Sequence, residues 1–526
     1  MHFLPTNNKK VQMKIVFKIT ILLMFPFILV GQPGSLDNTF GTGGIVKTPF
    51  AGGAQAFSVA LQSDGKIVVG GNAVNAAGTD IDFGIARYNT NGSLDNSFNT
   101  TGKLTTDITG SSDLFFSVAI QPDGKILGLG YSWNGSSQQD FSLVRYNSNG
   151  TLDLTFDSDG IVLTDIASNS PYYGYAMTLQ PDGKILVCGT TIISSNYNMV
   201  AVRYNSNGTL DPSFGVGGKS ICDLGGYDEA WAIALQSDGK ILLGGKSFVA
   251  AGTDNDFALV RLDSNGVFDP TFNSTGIVFT ALSSMTDWIL SLAIQPDGKI
   301  IAGGQSGGSG ASGAYATVRY NMDGTLDSTY NSIGIVQTSF AGYTASEGYA
   351  IELQADGKIV MGGFLKYPED FGIVRYNTNG SLNNSFGTLG KVITSPLGAG
   401  ELRDIAIQSD GKILAVGRSD DNFVVVRYLY SGENGVEDIV DINSMLSVYP
   451  NPVKDKITLS YLISETTPVV LSIYDVMGIK QDEIDLGLST SGNHSFEVST
   501  EVWSKGIYMV ELKTKSGKSI KRIVHL

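Results

Sequence analysis

Histidine, on which much acid–base and metal chemistry turns, is nearly absent. His2, His494 and His525 are the only three, and none lies between residues 32 and 430. That removes Ser-His-Asp and Cys-His nucleophilic catalysis and imidazole-held zinc from the stretch. The two cysteines, Cys188 and Cys222, make no disulfide framework. Cys188 stands where Gly70, Gly244 and Gly303 stand in equivalent segments, the place of a small core residue. Carboxylates, Tyr, Lys and aromatic faces remain. Asp82, Asp140, Asp256 and Asp370 each stand just before a recurring apolar segment, with Asn198 and Asn422 in two other copies. Such an acidic rim offers oxygen ligands to Ca²⁺, but no loop has a dedicated calcium spacing, and strand-end capping is the simpler role. No other cofactor is expected. Phe57, Phe116, Tyr175, Trp231 and Tyr349 open another recurring segment, with Leu290 and Arg403 in the remaining copies. These aromatics suit stacking on a flat ligand face, and the plainer use is to fill space between neighbouring elements.

The elements that must position these residues repeat. Asp-Gly-Lys recurs with its Asp at Asp64, Asp123, Asp182, Asp238, Asp297, Asp356 and Asp410, at intervals of 59, 59, 56, 59, 59 and 54 residues. Around Asp64, Phe57–Leu61 alternates as a strand does, and Lys66–Val69 is a second strand. Phe83–Tyr88 is a third, and Lys103–Thr106 a fourth. Pro122, Pro181 and Pro296 precede the Asp-Gly in other copies. Proline cannot take the positive φ of a type I′ turn, so the expected turn is type I with glycine in a left-handed G1 bulge. Four short antiparallel strands per repeat predict a propeller blade. The first connector, Ser35–Phe40, and the strand Ile45–Thr48 precede the first complete copy, while the last copy stops after Phe423–Tyr428. The N-terminal strand therefore completes the last of seven blades and leaves no loose edge.

The Asp-Gly-Lys turns, the pairs Arg145-Tyr146 and Arg203-Tyr204, and the stretch Gly150–Asp153 resemble the delta-60 repeat family over roughly Gly34 to Tyr428. The resemblance implies a propeller and carries no reaction. Leu262 departs from its Tyr and Asn383 from its connector Asp. Of the repeated arginines Arg87, Arg145, Arg203, Arg261, Arg319, Arg375 and Arg427, most have a repeat-matched Asp, so they are expected to pair structurally rather than bind an anion.

The ends carry addresses. Lys9, Lys10, Lys14 and Lys18 precede the apolar run Ile19–Val30, a signal-peptide pattern over 1–31, with cleavage after Gly31 and Met13 an alternative start. No transmembrane segment is then expected in the mature chain. A polar linker, 431–444, leads to a different strand-rich region, 445–526. Its Tyr449-Pro450-Asn451-Pro452, Ile473-Tyr474-Asp475, Gly506-Ile507-Tyr508 and Lys521-Arg522-Ile523-Val524 resemble the sorting domain of type IX secretion in Bacteroidetes-like bacteria. The resemblance implies a small β-sandwich, the secretion machinery as partner, and passage through the periplasm to the surface or medium.

The expected fold is therefore all-β, a seven-bladed propeller over 32–430 closed by an N-terminal strand and followed by a β-sandwich. The net charge of −15, with no basic run, makes nucleic acid a poor partner. The Asp-Gly turns and connectors are uniform. The loops between second and third strands, as at Gly71–Asp82, Gln305–Ala314 and Lys366–Asp370, and those between successive blades vary, so a ligand is expected there and asymmetry is expected in loops alone. Trp133, with Tyr131 in the segment Tyr131–Gln139, and Trp288 at the end of Ala281–Trp288, are the expected exposed anchors. The leading functional reading is a non-enzymatic secreted or surface binding or adhesion protein for a glycan such as a polysaccharide or for another extracellular polymer. Alternatives are a carboxylate-dependent glycan hydrolase or lyase, marked by paired carboxylates in a central pocket, and a spacer without ligand.

Overall fold

The structure, a computed structural model, describes residues 32–430 apart from 76, 134–138, 167–171, 249–253 and 309–312, and residues 446–525 apart from 450–452, 464–465, 476–479, 501–502 and 515–516. The signal-peptide and linker assignments, and Pro450, Asn451 and Pro452, lie outside the described residues. No helix among the described residues is long and apolar enough to cross a membrane.

Within 32–430 the described residues form seven four-stranded antiparallel sheets. Blade 1 runs through Ala54–Leu61, Ile67–Val74, Ile81–Tyr88 and Lys103–Thr106. The first strands of the blades are Ala54–Leu61, Asp113–Ile120, Tyr172–Leu179, Asp228–Leu235, Trp288–Ile294, Ala345–Leu353 and Gly400–Ile407. Each adjoins the first strand of the next blade, and the last adjoins the first, so these seven strands wall a central channel. Closure is as expected: Ile45–Thr48 pairs antiparallel with Asn422–Tyr428, Ile45 opposite Val426 and Thr48 opposite Phe423.

The hairpin chemistry also follows the sequence. Gly65 N donates to Gln62 O at 2.9 Å, Gln62 N donates to Lys66 O at 2.9 Å, and Gly65 has φ of 82°. This is a type I turn with a G1 bulge, where only glycine takes the left-handed position without strain.

The uniform connectors exist to satisfy a buried charge. Arg87 Nε donates to Asp95 Oδ2 at 2.8 Å, Lys66 of the Asp-Gly-Lys turn lies 3.4 Å from the same oxygen, and Arg87 Nη1 donates to the carbonyl of Ser148 in the next blade. One aspartate thus ties the turn, the third strand and the connector together, and the arginine stitches blade to blade. Burial pushes the Asp95 carboxyl up, but Ser97 hydrogen bonds and the charges of Arg87 and Lys66 outweigh it and hold it at about 2. The pairing recurs at Arg145–Asp153, Arg203–Asp211, Arg261–Asp269, Arg319–Asp327 and, across the closure, Arg427–Asp37. In blade 6 the neutral Asn383 stands in place of the aspartate, accepting from Arg375 Nη2 at 3.1 Å, and Arg375 Nε has no partner. The Leu262 departure has a companion. Tyr88 OH bonds Thr48 at 2.7 Å, and five other tyrosines bond the equivalent Thr, but opposite Leu262 that Thr is Cys222. Both hydroxyls are lost together, so none is buried without a partner.

The C-terminal region is a second compact unit. One sheet holds Leu446–Tyr449, Lys456–Ile463 and Gly492–Ser499, and another holds Lys480–Ser489, Thr467–Asp475, Gly506–Thr514 and Gly517–His525. Leu459 and Val498 of the first share a core with Leu471, Val510 and Ile523 of the second, a sandwich. Tyr449 is exposed, Gly506 begins a strand and Tyr508 is buried in the core, while Lys521 and Arg522 fall in the closing strand.

Candidate functional site

In every blade the first strand contains a β-bulge that the alternation pattern did not reveal. The register with the second strand slips between Ala56 and Ser58, and at the matching place in the other six blades. The extra residues are Phe57, Phe116, Tyr175, Trp231, Leu290, Tyr349 and Arg403. They do not open the first strand, as expected above; it starts about three residues earlier, and they sit mid-strand where a bulge re-aims a side chain.

These residues gather around the channel. Ring centroids lie 5.2 Å apart for Phe57–Phe116 and for Phe116–Tyr175, and 3.8 Å for the stacked pair Tyr175–Trp231. Arg403 closes the circuit, 5.1 Å from the Phe57 ring centre and 4.5 Å from that of Tyr349. Two residues before each bulge stand Gln55, Leu114, Tyr173, Glu229, Trp288, Glu347 and Glu401. Across the ladder from them are Asn72, Tyr131, Thr190, Lys246, Gln305, Phe364 and Arg418. In otherwise repetitive blades, these three positions change from copy to copy.

The changes have a pattern. Blades 2 to 5 carry a continuous aromatic band: Tyr131 lies 5.0 Å from Tyr173, and Trp231 stacks 5.8 Å from Trp288. Blades 4, 6 and 7 carry ion pairs. Lys246 lies 3.3 Å from Glu229, which also accepts from Trp231 Nε1 at 3.0 Å, and Lys366 lies 2.6 Å from Glu347. Arg403 and Arg418 lie 2.5 and 3.4 Å from Glu401.

Further along the channel wall, the residue after the bulge is Ser58, Ser117, Ala176, Ala232, Ser291 and Ala350 in six blades but Asp404 in the seventh. Two residues on, Ala or Thr is replaced only by Glu352. Asp404 accepts from Val59 N at 2.9 Å and Ile405 N at 2.8 Å, extending the stitch that Ser58 makes to Val118 N at 3.2 Å. Burial raises Asp404 to about 6 despite these bonds. Burial and then the Asp404 charge raise Glu352 to about 7. Two carboxyls with raised values thus stand on the first strands of blades 6 and 7.

The expected site residues divide. Tyr131 is buried within the aromatic band. Trp133 is not a loop residue: it ends the strand Ile126–Trp133, half-buried, 5.5 Å from Tyr131. Trp288 likewise begins an inner strand, half-buried, with Lys246 Nζ 3.9 Å from its ring centre. The second strands run three to five residues beyond the apolar stretch read from sequence, because polar or small residues continue the ladder. Asp82, Asp140, Asp256 and Asp370 fall at the start of the third strand, two strands out from the channel, and form no rim around it. Asp82 meets Asp107 and Asp113, their nearest oxygens within 4.8 Å of one another. Burial, then the charges of Asp107, Asp113 and Asp80, raises the Asp82 carboxyl. Asp113 already accepts from Ile108 N at 2.7 Å and Thr109 Oγ1 at 3.1 Å, a loop-organising role that Asp228 and Asp287 repeat. Asp256 faces Asp254 and Asp287, and Asp370 accepts from Tyr343 at 2.5 Å. Sequence reasoning passed over Glu229, Glu347, Glu401, Lys246, Arg418, Glu352 and Asp404. Aligning the copies column by column at a fixed offset from Asp-Gly-Lys exposes them. A cavity of 590 Å³ lies elsewhere, on the outer strand of blade 6 against Gln32–Ser35, Leu389 and Val392; apart from Lys391 its lining is uncharged, and no reactive groups gather there.

Comparison with known proteins agrees with this architecture. Six stretches, 62–98, 121–156, 180–214, 236–272, 295–330 and 354–386, match the model described as a domain of unknown function (DUF5122) beta-propeller. The seventh blade is split between the two ends of the propeller segment, Ile45–Thr48 and Gly400–Tyr428. Residues 447–525 match the secretion system C-terminal sorting domain. No curated protein matches. Among solved structures, a polysaccharide lyase described as an ulvan lyase is 11% identical, covering 76% of this chain and 95% of its own, with a TM-score of 0.43. The propeller domain of the Trilobed protease from Pyrococcus furiosus is 9% identical over 72% of this chain and 94% of its own, TM-score 0.40. PorZ, a surface component of the type IX secretion system of Porphyromonas gingivalis, is 12% identical over 94% and 86%, TM-score 0.23. Likeness at this level says nothing about activity.

Proposed function

We propose that this chain, which carries DUF5122 propeller repeats and a type IX secretion sorting domain, is an exported protein whose channel mouth binds an extracellular glycan. One observation carries the reading. Repeats whose turns and connectors are nearly uniform diverge at three strand positions around the mouth, and there they place an aromatic band, Tyr173, Tyr175, Trp231 and Trp288, beside polar pairs. Aromatic faces stack on the apolar faces of sugar rings, and fixed polar groups select their hydroxyls. A glycan array probed with the full mature chain should give hits that Trp231→Ala abolishes. An array without hits, or an unaffected Trp231→Ala, rejects the reading.

Glu352 and Asp404 favour a second reading, carboxylate-dependent cleavage of the bound glycan. A proton-holding carboxyl beside another carboxyl is the usual acid–base arrangement for glycosidic bonds. Release of reducing ends from a bound polysaccharide, lost in Glu352→Gln with binding retained, would support it. Retained release in that variant would remove it.

The export half has its own test. Removing Met445–Leu526 should leave the propeller folded and abolish delivery to the surface or medium. Cell fractionation showing normal delivery would overturn the role of the sorting domain.

A further inference from the structure

The mouth contains four cations and three carboxylates, and the pairing between them bears on the class of ligand. Every cation already has a partner: Lys246 with Glu229 at 3.3 Å, Lys366 with Glu347 at 2.6 Å, and Arg403 and Arg418 with Glu401 at 2.5 and 3.4 Å. An anionic polymer would have to displace these carboxylates or lie against them, and like-charge juxtaposition is a strong penalty in a partly dehydrated site. The chain's net charge of −15 adds to that repulsion at long range.

Building on the glycan reading, we infer that the mouth takes a neutral, hydroxyl-rich saccharide rather than a uronic or sulfated one. The pairing of Lys and Arg to Glu sets the specificity by leaving no free cation for a carboxylate or sulfate.

The test uses the full mature chain and two panels of oligosaccharides, neutral (β-glucan, mannan, arabinoxylan) and acidic (alginate, galacturonan, sulfated galactan). A neutral probe should bind, with affinity changing less than about two-fold between roughly 20 and 500 mM NaCl, since no ion pair forms with the ligand. Glu229→Gln and Glu401→Gln free a cation and should let an acidic probe bind that wild type rejects. Wild-type binding of acidic probes that weakens with salt overturns the inference and leaves the glycan reading standing. Binding of neither panel removes the glycan reading and this inference with it. An unaltered probe preference in both Glu variants also overturns the inference.

Discussion

The turn-and-connector region and the channel mouth are built from the same repeat, yet they evolve opposite textures. At the connectors, Arg, Asp and Lys recur with nearly the same spacing and the same bonds, and the one departure, Asn383, leaves Arg375 Nε without a partner. At the mouth, three positions per blade, each on a strand, take Gln, Leu, Tyr, Glu, Trp, Lys, Arg, Phe, Asn and Thr in turn. A buried ion pair allows little variation because removing one member strands the other. A channel position has no partner that recurs from blade to blade, so each blade is free to specialise there. Uniformity marks what holds the ring together, and divergence marks what the ring is for.

The largest effect should come from breaking the uniform side. Asp211→Ala leaves Arg203 buried without its 2.7 Å partner and should cost about 3–5 kcal/mol of unfolding free energy. Urea titration would measure it, and glycan binding by the folded fraction should be unchanged. A loss under about 1 kcal/mol would place this pair with exposed ones and dissolve the contrast. Trp231→Ala tests the other side: affinity should fall by about 1–3 kcal/mol. Calorimetry showing a stability loss as large as that of Asp211→Ala, with binding intact, would make Trp231 a packing residue.

Asn383→Asp sharpens the comparison by restoring the missing carboxylate opposite Arg375. It should stabilise the chain by about 1.5 kcal/mol, the lower end for a hydrogen bond to a charged group, seen as a raised urea midpoint. A neutral or destabilising result would mean that blade 6 has adapted around its asparagine, whose Nδ2 bonds Asn377 at 2.6 Å.

Much of this was legible in sequence, and the boundary is physical. The blade count, the closure and the turn type follow from period, missing segments and the φ limits of Pro and Gly. The connector pairs were legible because Arg87 and Asp95 recur together. The bulge at Phe57 was not, since one extra residue in a ladder shows only when the partner strand is known. Missing it hid the strand-borne variation around the channel, and loops took the blame. Trp133 and Trp288 were found for their size but misplaced, because Ser132 and Gln305 are polar yet buried in a continuing ladder. Glu352 and Asp404 look like ordinary surface carboxylates until the first strands are seen to wall a channel.

The smallest effect is the most diagnostic, because the two regions answer pH with opposite signs. At the connectors, Asp95 and Asp269 are held at about 2 in the folded chain, below their unfolded range. Their stabilisation is present above about pH 4 and lost as pH falls through the folded value. In the channel, Glu352 is raised to about 7 and Asp404 to about 6. The folded chain then holds more protons than the unfolded one between about pH 4 and 7, so that contribution is complete below the unfolded values near 4 and is lost as pH rises through the folded ones. Together they place the stability maximum on the acid side of neutrality, near pH 4 to 5. Melting temperature should therefore rise as wild type is taken from about pH 7.5 to 5, and Glu352→Gln, which cannot ionise, should flatten that rise while leaving the acid-side fall below about pH 4 in place. Identical profiles for the two proteins would mean that Glu352 is hydrated and ordinary, and the channel would lose the one feature that distinguishes an acid–base pair from two stray carboxylates.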